Sequence, residues 1–309
     1  MNLYISNNDS SLKAVKAVIY RDDGKILLQK RDGNPNIPFP YHWNLFGGEV
    51  EHSETLIESL ERELLEEIEF KPNKIEEQIF QSSWKSYKLY FFPIYLNKET
   101  ENIKFNLKEG LEYRWFGIDE LIELDLVPAI YENLYKISNY LEGKIVNFRD
   151  VYEKKLELKI TKKLKIKKKN ERVYYAAAEK FQINSQSMYF FLYLSQLRKV
   201  PVSRICLHNN DNSLLHEMYM FHSIPTSVGP LKQEKETISY HIIDGILEIE
   251  TEDKTNIVLS SDFFQNTRAS KSYRLKPSQY RVVKSKSDYC IFLEVNNGPF
   301  KDFDTIWKN

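Results

Sequence analysis

The chain has 309 residues, 42% of them apolar and 14% aromatic, and its 44 Lys plus Arg balance 44 Asp plus Glu. That length exceeds what one hydrophobic core usually serves, so two domains are expected, and the composition excludes a disordered or fibrous chain. No apolar run approaches the ~20 residues a membrane span needs, the N-terminal MNLYISNNDSSLK lacks the basic-then-apolar pattern of a secretory signal, and a neutral chain offers no global field for nucleic acid, so a cytoplasmic protein is expected.

Residues 13–21 (KAVKAVIYR) and 25–31 (KILLQKR) are β-branched or apolar runs joined by Asp22-Asp23-Gly24, a hairpin signal. A proline-rich loop, GNPNIPFPYHW, leads into GEVEHSETLIESLERELLEEIEF over residues 48–70. Apolar residues at 56, 57, 60, 64 and 68 make this stretch an amphipathic helix, with Ser53 or Thr55 placed to cap it. Strand-like runs follow at 77–81 and 87–95, then Trp115-Phe116 and a closing helix from about Pro128 to Leu141.

In residues 154–169, nine lysines stand against one acid, and Leu156, Leu158 and Ile160, then Leu164 and Ile166, alternate at period two. The segment reads as a solvated connector, a basic hairpin or a polyanion contact. A helix near 184–197 precedes short strands at 203–208, 215–221, 237–243, 246–250, 256–260, 272–275, 280–284 and 289–295, with a turn at Asp244-Gly245. That is the pattern of an all-β barrel or sandwich. Cys206 and Cys290, far apart and without CxxC spacing, are expected to be buried, inert thiols.

The acidic helix carries the chemistry. At about 100° per residue, Glu63 and Glu67 fall one turn apart on one face, with Glu66 beside them. Each like-charge pair costs a few tenths of a kcal/mol in an isolated helix, and more when part-buried. A hard divalent cation offsets that cost best and keeps waters for a phosphate substrate. Alone, such a cluster reads first as a solvated face, but its wider spacing is specific. Gly48, five residues, Glu54, seven residues, then Arg62-Glu63-Leu64-x-Glu66-Glu67 resembles the Nudix box. The preceding hairpin, WNLFGG, and a later EG…WF…EL…LVP segment agree with that family over about residues 10–145. Glu69 and Phe70 depart from it, standing where the family has Gly and an aliphatic residue. Gly supplies a left-handed helix exit, so either Glu69 adopts that conformation at a cost or the chain leaves differently.

The resemblance implies an α/β/α sandwich and a Mg²⁺- or Mn²⁺-dependent attack of water on a pyrophosphate. Carried over by position, it makes Glu63, Glu66 and Glu67 metal ligands with the Gly48 carbonyl beside them, and Arg62 the residue that orients the helix through Glu54. Glu109 is the expected general base, with Glu112 or a glutamate of the box, such as Glu66, as alternatives. Arg31, Asp32, His42, Trp43, Asn44 and Phe46 lie near the entrance for base or sugar recognition, although Trp43 and Phe46 serve equally as core. The expected substrate is a nucleoside diphosphate linked to another moiety, first of all a nucleotide sugar. A nucleoside triphosphate, or binding without hydrolysis by a nucleotide-sugar sensor, are the alternatives.

In the second half, SRICLHNNDNSLLHEMYMF, GPLKQEKETISYHIIDG and CIFLEVNNGPFKDFDT resemble a small cupin family of the WbuC type, through Arg204, His208, Met218, Gly245, Glu294 and Gly298-Pro299-Phe300. The resemblance implies a double-stranded β-helix barrel and a link to surface-polysaccharide biosynthesis. Where such cupins carry metal-binding His and Glu, alignment on Pro230 and Gly245 puts Leu231, Gln233 and Ile238, and later Tyr280-Arg281, so no metal is expected here. His241 alternates away from 238 and should face outward. Arg281, with Arg204 and His208, forms either a pocket for a phosphate or sugar acid or an internal pair with Glu294.

The expected whole is an α+β two-domain chain: a Nudix domain at 1–146, a lysine-rich connector or hairpin at 147–172, and a degenerate cupin at 173–309. Its expected partners are a small nucleotide and a second copy in a homodimer, with no membrane. RNA is disfavoured because no aromatics interleave with the lysines of 154–169.

Overall fold

The computed structural model describes residues 12–97, 104–178, 180–253, 256–261, 269–299, 301 and 304–308. Two compact units emerge, Met1–Leu156 and Glu157–Asn309. Among the described residues, no helix is long and apolar enough to cross a membrane.

In the first unit, β1 (Leu12–Arg21) and β2 (Ile26–Lys30) form the expected hairpin, its turn closed by the Lys25 carbonyl accepting from the Arg21 N–H at 3.1 Å. β3 (Trp43–Asn44), β4 (Phe80–Trp84), β5 (Tyr87–Leu96) and β6 (Glu112–Phe116) complete a six-stranded sheet ordered β3-β2-β1-β5-β4, with β6 on β2. β1 and β5 run parallel over their whole length. The acidic stretch forms α1 (Leu56–Ile68), which buries Leu60, Leu64 and Ile68 against Val15, Ala17 and Ile19 of β1 and Phe92 and Ile94 of β5. Each such side chain contributes about 1.5–3 kcal/mol on burial. Ile57 is not part of this stripe; it is exposed. The closing helix breaks into α2 (Pro128–Tyr131) and α3 (Leu134–Glu142), because Asn133 leaves helical geometry and turns its amide onto the Ala129 carbonyl at 3.0 Å.

Residues 147–172, the expected connector or hairpin, are largely helical, and only their last part pairs as a strand. They form α4 (Phe148–Leu164) and then β7 (Ile166–Lys168), which runs antiparallel to the next strand (Val173–Ala176), and the division between the units falls between Leu156 and Glu157, inside that helix. Phe148, Tyr152, Leu156, Ile160 and Leu164 are buried at a spacing of four, while Leu158, which suggested period two, is 70% exposed. Lysine is a good helix former, and the exposed side of an amphipathic helix accommodates it.

The second unit is mostly β. Its ten-stranded sheet is ordered β13-β12-β15-β10-β9-β8-β7, with β14 on β12 and β11 on both β15 and β16. The strands are β8 (Val173–Ala176), β9 (Val202–Cys206), β10 (Leu215–His222), β11 (Ser227–Gln233), β12 (Ile238–Thr251), β13 (Asn256–Ser260), β14 (Ser272–Leu275), β15 (Arg281–Asn297) and β16 (Thr305–Trp307). One helix, α5 (Ser185–Leu197), is buried along most of its length and capped by the Asn184 side chain. The closed barrel expected from the cupin resemblance is not found: among the described residues, no pairing joins the two ends of the sheet, β13 and β7. Asp244-Gly245 does not turn the chain either. β12 runs straight through it, bulging as its register with β15 slips between Ile242 and Asp244 and again between Gly245 and Leu247. Gly245 sits at φ 88, and a Cβ there would lie 2.5 Å from the Tyr289 carbonyl, so the bulge needs glycine.

Candidate active site

The start of α1 is fixed by a capping box: Thr55 Oγ1 accepts from the Glu58 N–H, and the Glu58 carboxylate accepts from the Thr55 N–H at 2.8 Å. Thr55, rather than Ser53, is therefore the cap. Two turns along, the Arg62 guanidinium forks over the neighbouring carboxylates. Its Nε and Nη2 donate to both Glu54 oxygens at 2.7 and 3.1 Å, its Nη1 to Glu63 at 2.9 Å and Glu66 at 3.0 Å, and its Nη2 also to the Glu49 carbonyl at 3.0 Å. The Arg62 bond holds Glu54 below the usual carboxylate range, and Glu54 in turn raises Arg62.

Glu63 is half-buried beside Gly48, where a Cβ would lie 2.5–2.6 Å from its carboxylate, so a larger residue there would displace that carboxylate from its present position. Burial raises the Glu63 carboxyl against the opposing pull of Arg62. Glu67 is 6% exposed and accepts from the Gly47 N–H at 2.8 Å and from the Gln29 amide. Burial pushes its carboxyl up to about 7, partly offset by Gly47 and Lys16. Lys16, itself buried, donates to the Gly47 carbonyl, and desolvation lowers its pKa. The Gly48 carbonyl accepts from the Val15 N–H at 2.9 Å. Lys16 and Gln29 escaped the sequence analysis; the available signal was a cation and an amide within otherwise apolar strands.

At the end of the helix, Glu69 does adopt the left-handed conformation, at φ 50 and ψ 38, which costs a non-glycine residue about 1 kcal/mol. Phe70 packs edge-on against Phe105 with ring centroids 5.2 Å apart. The Glu69 carboxylate accepts from Asn106 at 2.6 Å and pairs with Lys108 at 2.7 Å. The loop thus held also donates the Lys108 N–H to the Glu67 carbonyl at 2.8 Å, which brings exposed Glu109 next to the box helix. Glu112 is engaged elsewhere, with Lys30 and Arg114.

Hard carboxylate oxygens are the donor chemistry that Mg²⁺ or Mn²⁺ requires. Among the described residues, no three His, Cys, Asp or Glu side chains converge on one point; Arg62 draws Glu63 and Glu66 together, while Gln29 and Gly47 hold Glu67. A carboxylate oxygen that accepts one hydrogen bond keeps a second lone pair, so the donor chemistry suits a divalent cation, although among the described residues the carboxylates are not drawn onto one point.

The entrance differs from expectation. Trp43 and Phe46 are 6% and 0% exposed, so neither ring offers a face to a nucleobase; Trp43 packs edge-on against Phe116 at 4.8 Å. The His42 ring bonds the Pro40 carbonyl and Asp32 accepts from the Asn34 N–H, whereas Asn44, though buried, lines a cavity of ≈ 230 Å³ beside Gly48. Arg31 lines it too, together with Lys16, Phe39, Trp84 and Tyr87. Phe39 and Trp84 lie 5.6 Å apart, and Tyr87 Oη donates to Glu49 at 3.1 Å. These aromatics come from separate segments, and their convergence was not readable from spacing. A larger cavity of ≈ 520 Å³, around Tyr20, Glu76, Tyr95 and Lys144, contains none of the helix's carboxylates. Arg281 belongs to the second unit; it is 3% exposed and donates to Tyr240 Oη at 2.6 Å, rather than forming the expected pair with Glu294.

Residues 11–137 match the family model of the NUDIX domain. No curated protein matches the chain. Similar solved structures include the MutT protein from Methanosarcina mazei Go1, at 23% identity over 43% of this chain and 94% of that one, with a TM-score of 0.34. An Ap4A hydrolase of C. elegans in a binary complex is 22% identical over 43% and 98%, with a TM-score of 0.35. The NUDIX domain of Shewanella oneidensis NrtR, complexed with ADP ribose, is 19% identical over 45% and 94%, with a TM-score of 0.36.

Proposed function

Taking as premise that residues 11–137 are a Nudix domain, and so a pyrophosphohydrolase, we propose that the chain cleaves the diphosphate of a nucleotide sugar. The observation that carries this reading is the cavity beside Gly48. Phe39 and Trp84 line it together with Arg31 and Tyr87, groups that bond hydroxyls and phosphate, beside Gly48 and the Glu63 carboxylate. At ≈ 230 Å³ it accommodates one ring of the substrate, leaving the diphosphate over the carboxylates. A role in surface-polysaccharide assembly, suggested by the resemblance of the second half, belongs to the same proposal.

Glu63, Glu66 and Glu67, with the Gly48 carbonyl beside them, would hold Mg²⁺ or Mn²⁺, which when bound neutralises phosphate charge and acidifies water. Arg62 and Glu54 keep those carboxylates along one edge of the helix. Arg31 and Lys16 attract the diphosphate and Phe39 and Trp84 hold the ring, so the substrate is oriented before any bond changes. Glu109 takes the proton of the attacking water as its oxygen bonds to one phosphorus. The bridging P–O bond breaks, its electron pair leaves with the second phosphate, and a nucleoside monophosphate and a sugar phosphate are released.

Product chromatography on nucleotide sugars and nucleoside triphosphates, with Mg²⁺ and beside Glu66→Gln, tests the proposal. A nucleoside monophosphate and a sugar phosphate that vanish in the variant are expected. Turnover of triphosphates alone would overturn the substrate class, and no turnover across the panel would overturn hydrolysis itself.

A further inference from the structure

The inward face of the second unit follows from its register. Glu294 on β15 stands opposite Tyr240 on β12 and Met218 on β10; one step along, Asn296 stands opposite Ile238 and His216. Across β10, Met220 faces Arg204 on β9. Residues two apart on a strand share a face, so Arg204, Tyr240, Glu294 and Asn296 line one surface. Arg281 reaches the same surface from the start of β15, its Nε donating to Tyr240 Oη at 2.6 Å and its Nη1 to the Leu231 carbonyl at 3.4 Å.

The charges on this surface are not paired off. Two guanidiniums, neither of which can lose its proton, act on the Glu294 carboxylate, which feels both of them, and a second carboxylate, Glu236, is buried two residues before β12 with one oxygen unpartnered. Among the described residues, Arg281 has only the phenol and the carbonyl as hydrogen-bond acceptors, and the Arg204 Nε is buried without a partner. A buried cation in such surroundings carries a desolvation cost that neutral acceptors offset only in part.

Two amide oxygens are in a comparable position. Asn296 Oδ1 and Gln233 Oε1 are buried without a partner, on residues 5% and 8% exposed. Gln233 shares the face of β11 with Leu231, which pairs with Arg281. Buried polar atoms are normally satisfied, so each of these has bonding capacity to spare. The cations call for an anion, and the amide oxygens call for hydroxyl donors. Arg204 and Glu294 are only half-buried, so solvent reaches the surface.

We propose that the second unit binds a small hydroxylated oxyanion, a sugar phosphate or a sugar acid. Its anionic group lies on Arg204 and Arg281, and its hydroxyls donate to Asn296, Gln233 and Glu294. The site is separate from the carboxylate helix and does not depend on the hydrolase reading.

Calorimetry on the full chain with glucose 1-phosphate, glucuronate, inorganic phosphate and glucose tests it. Binding of glucose 1-phosphate or glucuronate is expected, and the preferred one tells phosphate from carboxylate; inorganic phosphate should bind at least ~10-fold more weakly, and glucose not at all. Because Arg281→Gln alters a fully buried group and can unfold the unit, Arg204→Gln is the deciding variant. It should weaken the preferred ligand by ~10–100-fold and leave pyrophosphohydrolase turnover unchanged. Glu66→Gln should leave the affinity unchanged. Silence with all four probes, equal binding of glucose, an affinity indifferent to Arg204→Gln, or binding lost in Glu66→Gln would each overturn the proposal.

Discussion

The box helix and the inward face of the second unit face the same electrostatic problem with opposite signs. Glu54 before α1 and Glu63, Glu66 and Glu67 on it gather about the Arg62 guanidinium, whose donors reach three of them, and about buried Lys16, which acts on Glu67. In the second unit, Arg204 and Arg281 both act on Glu294. The chain as a whole is neutral, so neither excess is visible in composition. What differs is how far the protein itself answers the excess. The carboxylates are bonded by Arg62, Gln29 and backbone, so they are held in order before any cation arrives, whereas the second cluster leaves Arg204, Asn296 and Gln233 with buried atoms unpaired. A local surplus of charge names the sign of its ligand, and unspent hydrogen bonds add its chemistry.

The largest expected effect tests the negative cluster. Glu66→Gln should lower kcat by at least ~100-fold with KM little changed, read by product chromatography under saturating Mg²⁺; turnover within tenfold of the parent would break the comparison, since the carboxylate edge would then not serve a cation. Arg62→Ala should come next. Without its guanidinium, Glu54, Glu63 and Glu66 confront one another, and a loss of about 2–3 kcal/mol is expected in urea denaturation, part of it restored by Mg²⁺. Arg62→Lys should recover less than half, because an ammonium cannot fork.

Glu157 supplies a charge-matched control outside both clusters. Its carboxylate accepts from Arg198 at 2.7 and 2.8 Å and from Tyr174 at 2.6 Å. Arg198 above all holds its pKa at about 2, with burial opposing. The folded value lies below the unfolded one, so the contribution is complete above about pH 4.5 and disappears as pH falls towards 2. After allowance for solvent screening it is on the order of 1–2 kcal/mol. The gap in urea midpoint between the parent and Glu157→Gln should therefore narrow steadily from pH 5 to pH 2; a constant gap would refute the assignment.

Glu69→Gly should have the smallest effect. Relief of the left-handed strain is worth about 1 kcal/mol, and the exposed ties to Asn106 and Lys108 about 0–1 kcal/mol in the other direction. A slightly higher melting temperature is expected, with kcat reduced severalfold as the loop bearing Glu109 loosens. An unchanged kcat would remove Glu69 from any part in positioning that loop.

The box was legible because each of its residues answers a fixed geometric demand. The present position of the Glu63 carboxylate takes up the space a Cβ at Gly48 would fill, and Arg62 needs Glu54 within reach of its fork. The first hairpin was equally legible. Trp43 and Phe46 were not, since an aromatic in sequence carries no mark of which face it presents, and the rings at the cavity come instead from Phe39, Trp84 and Tyr87. In the lysine segment, apolar residues at 156, 158 and 160 fit a strand as well as a helix; the helical stripe emerges only when Phe148 and Tyr152 are counted with Leu156, Ile160 and Leu164. Asp244-Gly245 suits a bulge as well as a turn, because both take glycine at positive φ, and only the partner strand decides between them. β11 went unseen because Gly229-Pro230 lies inside it, at the point where its register with β15 shifts.

Both cysteines of the chain lie in the second unit. They are buried, and burial pushes the Cys206 thiol up to about 11 and raises that of Cys290 as well. At neutral pH neither is an available nucleophile while the sheet is closed. A thiol reagent added to the intact protein is thus a stopwatch on the opening of one unit, and it runs without engineering or labels. A ligand held by Arg204 and Arg281 would slow that clock.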